Sequence, residues 1–374
     1  MSPPFVSFTP SERGSLGLEW ELFLVDPTTR QLAPRAAELL GALDAGPEGP
    51  IRGEYLTTMI ELVSTVHQQV GPAVAQMRDL LGQVVATADS LGLAVMAAGT
   101  HPFAHPSDAP IVRAAHYDVV AERNGWWGRR MIICGTHVHV GIPDRERALP
   151  LVHWLAACTP LILALSASSP YFAAEDTGFA SHRAMLFQQL ATNGLPPAVT
   201  TWAAFEAYAE ELVRAGMISR PTEIRWDVRP APRFGTVECR IADAAASVAE
   251  LGCLAAWMQC LTEYFLRRTD QGAPPPIPSP WFVRENKWRA ARYGFDTTII
   301  QADGDVVPLR TEFDRWLAEL SPLAADLGCA PEFQFASELL TTGNSTDRQR
   351  RLLGEGADLN TVVDAMIAET RGNL

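Results

Sequence analysis

Residues 17–24 read Gly17-Leu18-Glu19-Trp20-Glu21-Leu22-Phe23-Leu24. Their alternation of apolar and acidic positions is that of a β-strand with two unlike faces. Leu18, Trp20, Leu22 and Leu24 share one face, so Glu19 and Glu21 project together from the other. Two carboxylates roughly 7 Å apart along a strand repel each other. A solvent-facing side tolerates such a pair, whereas a half-enclosed one needs a cation between them.

Three further stretches share this design. In Gly135-Thr136-His137-Val138-His139-Val140-Gly141, the two histidines occupy one face and the two valines the other. Imidazole is a common metal ligand, although a strand histidine also serves as a hydrogen-bonded core residue. In Thr236-Val237-Glu238-Cys239-Arg240-Ile241, the apolar face is Val237, Cys239 and Ile241, which leaves Glu238 and Arg240 together as part of a site or as a structural ion pair. Glu61 lies among Met59, Ile60, Leu62 and Val63, where an unpaired carboxylate is expensive. Glu54 stands seven residues before Glu61. That odd spacing requires either a bulge or a place for Glu54 in the preceding loop.

Four strands with charge opposite an apolar face describe one sheet, covered by helices on one side and forming a carboxylate-rich cavity on the other. The expected fold class is therefore α+β, with a sheet at least partly antiparallel. Carboxylates with one imidazole suit Mg²⁺ or Mn²⁺, whereas zinc prefers more His or Cys. Hard ligands beside an arginine are what phosphoryl transfer requires.

Outward from these strands, a turn-rich insert covers 41–50 and a helix runs from Pro72 to about Leu91. A strand at 93–99 leads into a loop holding His101, Pro102, His105 and Pro106. The strand carrying the histidine pair is expected over 131–140, followed by one long apolar helix at about 146–165. Helical patterns run from 180 to 215, a strand pair occupies 224–230 and 235–242, and another helix covers 247–268. The proline-rich run 271–280 is the best linker, and the remainder reads as helical. The whole chain, 1–374, is expected to be one catalytic domain, with a core at about 14–294 and a helical C-terminal region at about 281–374.

Composition limits the partners. The 374 residues carry a net charge of −13, which argues against a nucleic-acid or anionic-membrane binder. With 47% hydrophobic residues the chain is not disordered. Its N-terminus lacks the basic start and apolar run of a secretory signal, and no stretch approaches the ~18 uninterrupted apolar residues of a membrane span. Six cysteines scattered through apolar contexts read as core thiols of a cytoplasmic protein. Among 30 basic residues the only lysine is Lys287. The apolar content makes a homodimer the expected assembly.

Other chemistries lack their residues. Metal-dependent hydrolases that open with His-x-His draw more histidines from later strands, and none follows His182 here. No GxxxxGK[ST] loop and no G-x-S-x-G elbow is present.

The strings GLEWELFLVD (17–26), the Glu54–Glu61 segment, CGTHVHVGIPD (134–144), LALSASSPYFAAEDTGFASHR (163–183), WDVRPAPRFGTVECRIAD (226–243) and ENKWRAARYG (285–294) resemble, in that order, the carboxylate-amine ligase family often called type 2 glutamate–cysteine ligase. The resemblance covers about 280 residues and implies a catalytic sheet of the glutamine synthetase type. It implies an ATP-dependent ligase that phosphorylates the side-chain carboxylate of glutamate. An amine such as that of cysteine then displaces phosphate from the acyl phosphate.

Carried over by motif, Glu19, Glu21, Glu61, His137 and Glu238 are the metal ligands, with Glu54 a weaker one. Arg240 faces the transferred phosphoryl group and, with Glu238, forms the catalytic pair. Arg183 and Arg233 are anion contacts for ATP or else take surface or ion-pair roles, and His139 is a ligand or a donor behind the ligands. Lys287 belongs to a helix-borne structural motif. The family usually has Tyr where this chain has His182, which alters a substrate contact there. Two alternatives stay open: the same chemistry on another acid and amine, and a non-catalytic metal- or nucleotide-binding relic.

Overall fold

The side chains of Leu18, Trp20, Leu22 and Leu24 are fully buried. They belong to β1 (Leu16–Val25), which occupies the middle of the sheet. The computed structural model describes residues 5–372, except the side chains of 115 and 116. The expectation about the N-terminal start at Met1–Pro4 therefore lies outside the described residues.

Seven strands form the main sheet: β1, β2 (Ile51–Gly53), β3 (Met59–Val63), β4 (Ala94–Met96), β5 (Thr136–Gly141), β6 (Val228–Ala231) and β7 (Thr236–Cys239). Their order is β6-β7-β5-β1-β3-β2, and β4 pairs with β1 at Phe23–Val25. Every pair in this sheet is antiparallel. The expected α+β class with a largely antiparallel sheet is what the chain adopts.

The helices Val70–Ser90, Ala148–Ala157 and Val248–Asp270 pack on the sheet's apolar side. Burying each large apolar side chain there contributes about 1.5–3 kcal/mol. Trp20 buries its polar edge as well, because its Nε1–H donates to the Ala245 carbonyl at 3.0 Å. Helix Ala330–Thr342 packs on Val248–Asp270, stacking Phe333 on Trp257 at 4.9 Å. Helix Leu359–Arg371 packs against β4, where the Ala97 amide donates to Thr370 Oγ1 at 2.8 Å.

Several elements differ from the expectations. The apolar helix over 146–165 is two helical segments bent by 55° between Ala157 and Thr159. Pro160 lacks an N–H, and its ring excludes the preceding carbonyl, so one straight helix cannot continue. Among the described residues no single helix is long and apolar enough to cross a membrane. The strand expected over 131–140 begins only at Thr136, and that expected over 93–99 shortens to Ala94–Met96.

Helix over 180–215 breaks into His182–Phe187 and Trp202–Arg214. Between them Asn193–Gly194 pairs in parallel with Arg225–Trp226. A helix at Ala115–Gly128 and a hairpin joining Thr298–Ile300 to Val306–Pro308 were not expected. The proline-rich run connects Val248–Asp270 to helix Pro280–Tyr293, which packs against Thr159–Ser166 of the core. All six cysteines are free and buried.

The β6–β7 hairpin closes on Gly235, at φ +59°, where a Cβ would stand 2.0 Å from the Thr9 carbonyl oxygen. Only glycine fits that left-handed turn against the N-terminal segment. The turn fixes the register that brings Arg229 opposite Glu238.

Candidate active site

Antiparallel register aligns the charged side chains into rows across the open face of the sheet. One row runs Arg229–Glu238–His139, ending at Gly17. A second pairs His137 with Glu19. A third runs Glu21–Glu61–Arg52. Gly17 keeps the end of the first row low, since a Cβ there would be 3.6 Å from that of His139.

Glu19 is the shared member of two clusters. Its Oε2 lies 2.8 Å from His137 Nδ1, and its Oε1 lies 3.4 Å from His139 Nε2. Glu19, Glu61 and His137 offer ligand atoms within 4.8 Å of one another, and so do Glu19, His139 and Glu238. His139 is oriented by a 2.9 Å contact between Nδ1 and Thr236 Oγ1, which leaves its buried Nε2 without a hydrogen-bond partner among the described residues. An acceptor-rich cluster with an orphaned imidazole nitrogen fits a hard divalent cation.

The electrostatics show the same demand. Burial, reinforced by the charge of Glu54, raises Glu21 to about 7. Burial and then the charges of Glu19 and Glu54 hold Glu61 well above the carboxylate range. Glu19 goes the other way: burial opposes its charge, but the hydrogen bond from His137 and the close approach of His139 keep it well below that range. Burial and the Arg240 charge lower His137 to about 4. Burial likewise opposes the charge of Glu238, yet Arg229 and Arg240 hold it ionised. Arg229 Nε reaches Glu238 Oε2 at 2.7 Å, and Arg240 Nη1 bonds to Glu238 Oε1.

Beside the cage lies a cavity of about 110 Å³. Glu21, Glu54, His137, Arg183, Arg225 and Arg240 supply its charged wall, and residues such as Val120, Met131, Phe187 and Leu190 its apolar wall. Arg183 is buried and donates to the carbonyls of Ile241 and Arg240 at 3.1 and 3.2 Å. It passes over Gly135, where a Cβ would fall 2.0 Å from Nη2. The segment carrying it is fixed by buried Asp243, which accepts from Ser169 Oγ at 2.6 Å and Ser181 Oγ at 2.7 Å.

The expected residues divide into three groups. Glu19, Glu61, His137 and Glu238 are gathered into the two clusters, joined by His139. Glu21 and Glu54 line the cavity but belong to neither cluster. Glu54 sits in the loop between β2 and β3, where its Oε2 accepts from the Tyr117 hydroxyl at 2.6 Å. Arg233 stands apart: it lies on the exposed β6–β7 turn over Phe234 and outside the cavity wall.

His182 also lies outside the cavity wall. Its ring packs near Phe172 and Phe179, at 5.3 and 6.5 Å. Lys287 is buried on helix Pro280–Tyr293, its Nζ 2.7 Å from Asp227 Oδ2. Sequence reading missed Arg52, Arg225, Arg229, Asn193 and Tyr117. Only Arg229 carried a signal, as a charge between Val228 and Pro230 in an apolar strand.

A family model described as glutamate-cysteine ligase family 2 matches residues 15–364. A protein of Leifsonia xyli subsp. xyli that bears the name glutamate–cysteine ligase 2 is 44% identical over 374 residues, covering 99% of each chain. One of the same name from Clavibacter michiganensis subsp. michiganensis is 42% identical over 375 residues, 99% of this chain and 97% of that one. The solved structure of a Francisella tularensis glutamate–cysteine ligase in complex with AMP superposes with a TM-score of 0.70, at 12% identity, over 98% of this chain and 90% of that one.

Proposed function

The chain belongs to glutamate-cysteine ligase family 2 and is an ATP-dependent ligase of carbon–nitrogen bonds; on that premise we propose that it joins the side-chain carboxylate of glutamate to the amine of cysteine. The observation that carries this reading is the pair of carboxylate–imidazole clusters sharing Glu19, with Arg240 beside them. In the first step a glutamate carboxylate oxygen takes the γ-phosphoryl group of ATP and ADP leaves. In the second the amine attacks the acyl carbon, phosphate departs, and the nitrogen loses its proton.

Glu19, Glu61 and His137 would hold one Mg²⁺ or Mn²⁺ ion, and Glu19, His139 and Glu238 another, with Glu21 and Glu54 at the cavity edge. Such ions neutralise triphosphate and acceptor carboxylate as they meet. Arg240 supplies fixed positive charge: Nη1 is held by Glu238, and its buried Nε has no hydrogen-bond partner among the described residues. A preorganised guanidinium of this kind stabilises charge that develops during phosphoryl transfer. Arg183 keeps the backbone of Arg240 in place.

The Francisella ligase was solved in complex with AMP, which supports nucleotide use by this fold. We further propose that the chain works as one catalytic domain in the cytoplasm and pairs as a homodimer. Its C-terminal helices complete the core that backs the site, and its thiols are free. Trp281 and Trp288, 59% and 40% exposed on one helix, offer an apolar face for the pairing. The test is ADP release screened across acids and amines with and without Mg²⁺. Turnover with glutamate and cysteine supports the reading, and turnover only with another acid reassigns the donor.

A further inference from the structure

Arg225 is the one guanidinium in the cavity wall whose side chain makes no hydrogen bond or ion pair among the described residues. The strand Arg225–Trp226 alternates: Trp226 is buried against Phe205 and Tyr208, with ring centroids 5.8 and 5.6 Å away, so Arg225 is turned to the opposite side, into the cavity. Its backbone is held, because the Arg225 amide donates to the Thr192 carbonyl at 3.2 Å and the strand pairs with Asn193–Gly194.

The carboxylates that act on Arg225, Glu54 and Glu223, are engaged elsewhere: Glu54 Oε2 accepts from the Tyr117 hydroxyl at 2.6 Å and Glu223 Oε1 from the Ser219 amide at 3.2 Å. Glu238 pairs with both Arg229 and Arg240, and these two guanidiniums oppose the charge of Arg225, which forms no ion pair of its own among the described residues. Burial, with the charges of Arg240 and Arg229, accordingly lowers Arg225 from the ordinary arginine value. Asn193, opposite it in register, also lines the cavity. Its Nδ2 donates to the Phe187 carbonyl at 3.0 Å, which orients the amide and leaves the buried Oδ1 without a partner among the described residues.

The cavity's size decides between anions. At about 110 Å³ it is far below the ~300 Å³ at which pockets for drug-sized ligands begin, a size that suits a small amino acid better than a whole nucleotide. Its apolar wall of Val120, Met131, Phe187 and Leu190 suits a short, uncharged side chain better than a second carboxylate. We propose that this cavity receives the acceptor amino acid and that Arg225 binds its α-carboxylate, making Arg225 the residue that selects amino acids over simple amines. The proposal rests on the ligase reading above and adds to it the identity of the acceptor's anchor. A planar guanidinium presents two parallel N–H donors to a carboxylate, and such bidentate pairs are among the stronger charge-assisted hydrogen bonds.

The experiment compares cysteine with cysteamine, which has the same amine and thiol but no carboxylate. In the wild-type chain the KM for cysteine should be lower than that for cysteamine. Arg225→Gln should raise the cysteine KM by roughly 10- to 100-fold and collapse that preference. Arg225→Lys should restore part of it. A rise that falls instead on the KM of glutamate or of ATP overturns the assignment.

Equilibrium titration of the wild-type and Arg225→Gln chains with each amine, without turnover, separates this inference from the ligase reading. Wild-type binding of cysteine no tighter than cysteamine, including no binding of either, overturns the role of Arg225. Carboxylate-dependent binding abolished by Arg225→Gln, together with no ADP release from any pair, upholds the anchor and overturns the ligase substrates instead.

Discussion

Glu19 on β1 and His137 on β5 stand opposite each other in antiparallel register, and their side chains meet at 2.8 Å. Because the same carboxylate also faces His139 and belongs to both candidate cation clusters, it is the residue whose loss disturbs both at once.

Glu19→Gln should therefore raise the Mg²⁺ concentration needed for half-maximal ADP release by roughly 10- to 100-fold, the usual effect of damaging a metal site. Glu19 is the better choice than Glu238, whose removal would strand two guanidiniums around a fully enclosed position. An unchanged Mg²⁺ dependence in a folded Glu19→Gln protein contradicts the cage.

The single lysine should matter for stability and not for phosphate chemistry. Lys287→Met leaves Asp227, which is fully buried, with an uncompensated charge. Breaking such a pair costs about 3–5 kcal/mol. Denaturant unfolding should show that loss, and the double variant Lys287→Met with Asp227→Asn should recover part of it. Additive losses in the double variant would show that the two side chains do not act as a pair.

Gly135→Ala should displace Arg183, because its Cβ would occupy a position 2.0 Å from the guanidinium. Overpacking of this kind costs about 1–3 kcal/mol. The Gly135 amide also donates to Glu21 Oε2 at 2.5 Å, so ADP release should fall with stability. Wild-type stability in urea would argue that Arg183 does not pass over this glycine.

Stability should fall on acidification through the loop histidine His101. Burial lowers it to about 4, and the ring is neutral in the fold: Nε2 lies 2.8 Å from the Arg30 carbonyl oxygen, and Nδ1 accepts from the Ala104 amide at 3.0 Å. Between about pH 6.5 and 4 the unfolded chain binds a proton that the folded chain refuses, so this contribution is fully present above the window, is lost as pH falls through it, and changes no further below it. The contribution is on the order of 3 kcal/mol. Unfolding measured at pH 7 and pH 5 should show a smaller difference in His101→Gln than in the wild type; an equal difference places the titration elsewhere.

Much of the site was legible because strand alternation is a local rule. Glu19, Glu61, His137 and Glu238 each declared their face against apolar neighbours, and sharing one sheet brought them together. What was not legible depends on three dimensions. Arg225 joined the cavity through a parallel pairing with Asn193 that no periodicity announces, inside a stretch whose helical pattern concealed the break at Gly194. Arg233 was grouped with Arg183 as an anion contact by its motif, yet the tight turn at Gly235 leaves it exposed. The bend at Cys158–Pro160 was written in the proline, but the run of apolar residues around it outweighed that signal. The helix Ala115–Gly128 has little amphipathic pattern, with Gly125 and Gly128 near its end, so it did not stand out.

The central claim is that this cage activates a carboxylate by phosphorylation, and hydroxylamine trapping tests it most directly. The folded wild-type chain incubated with glutamate, MgATP and hydroxylamine should form γ-glutamyl hydroxamate and ADP in equal amounts, with both products lost when Mg²⁺ is chelated. Formation of neither product with glutamate, under conditions where the chain is folded and Mg²⁺ is present, would contradict the account.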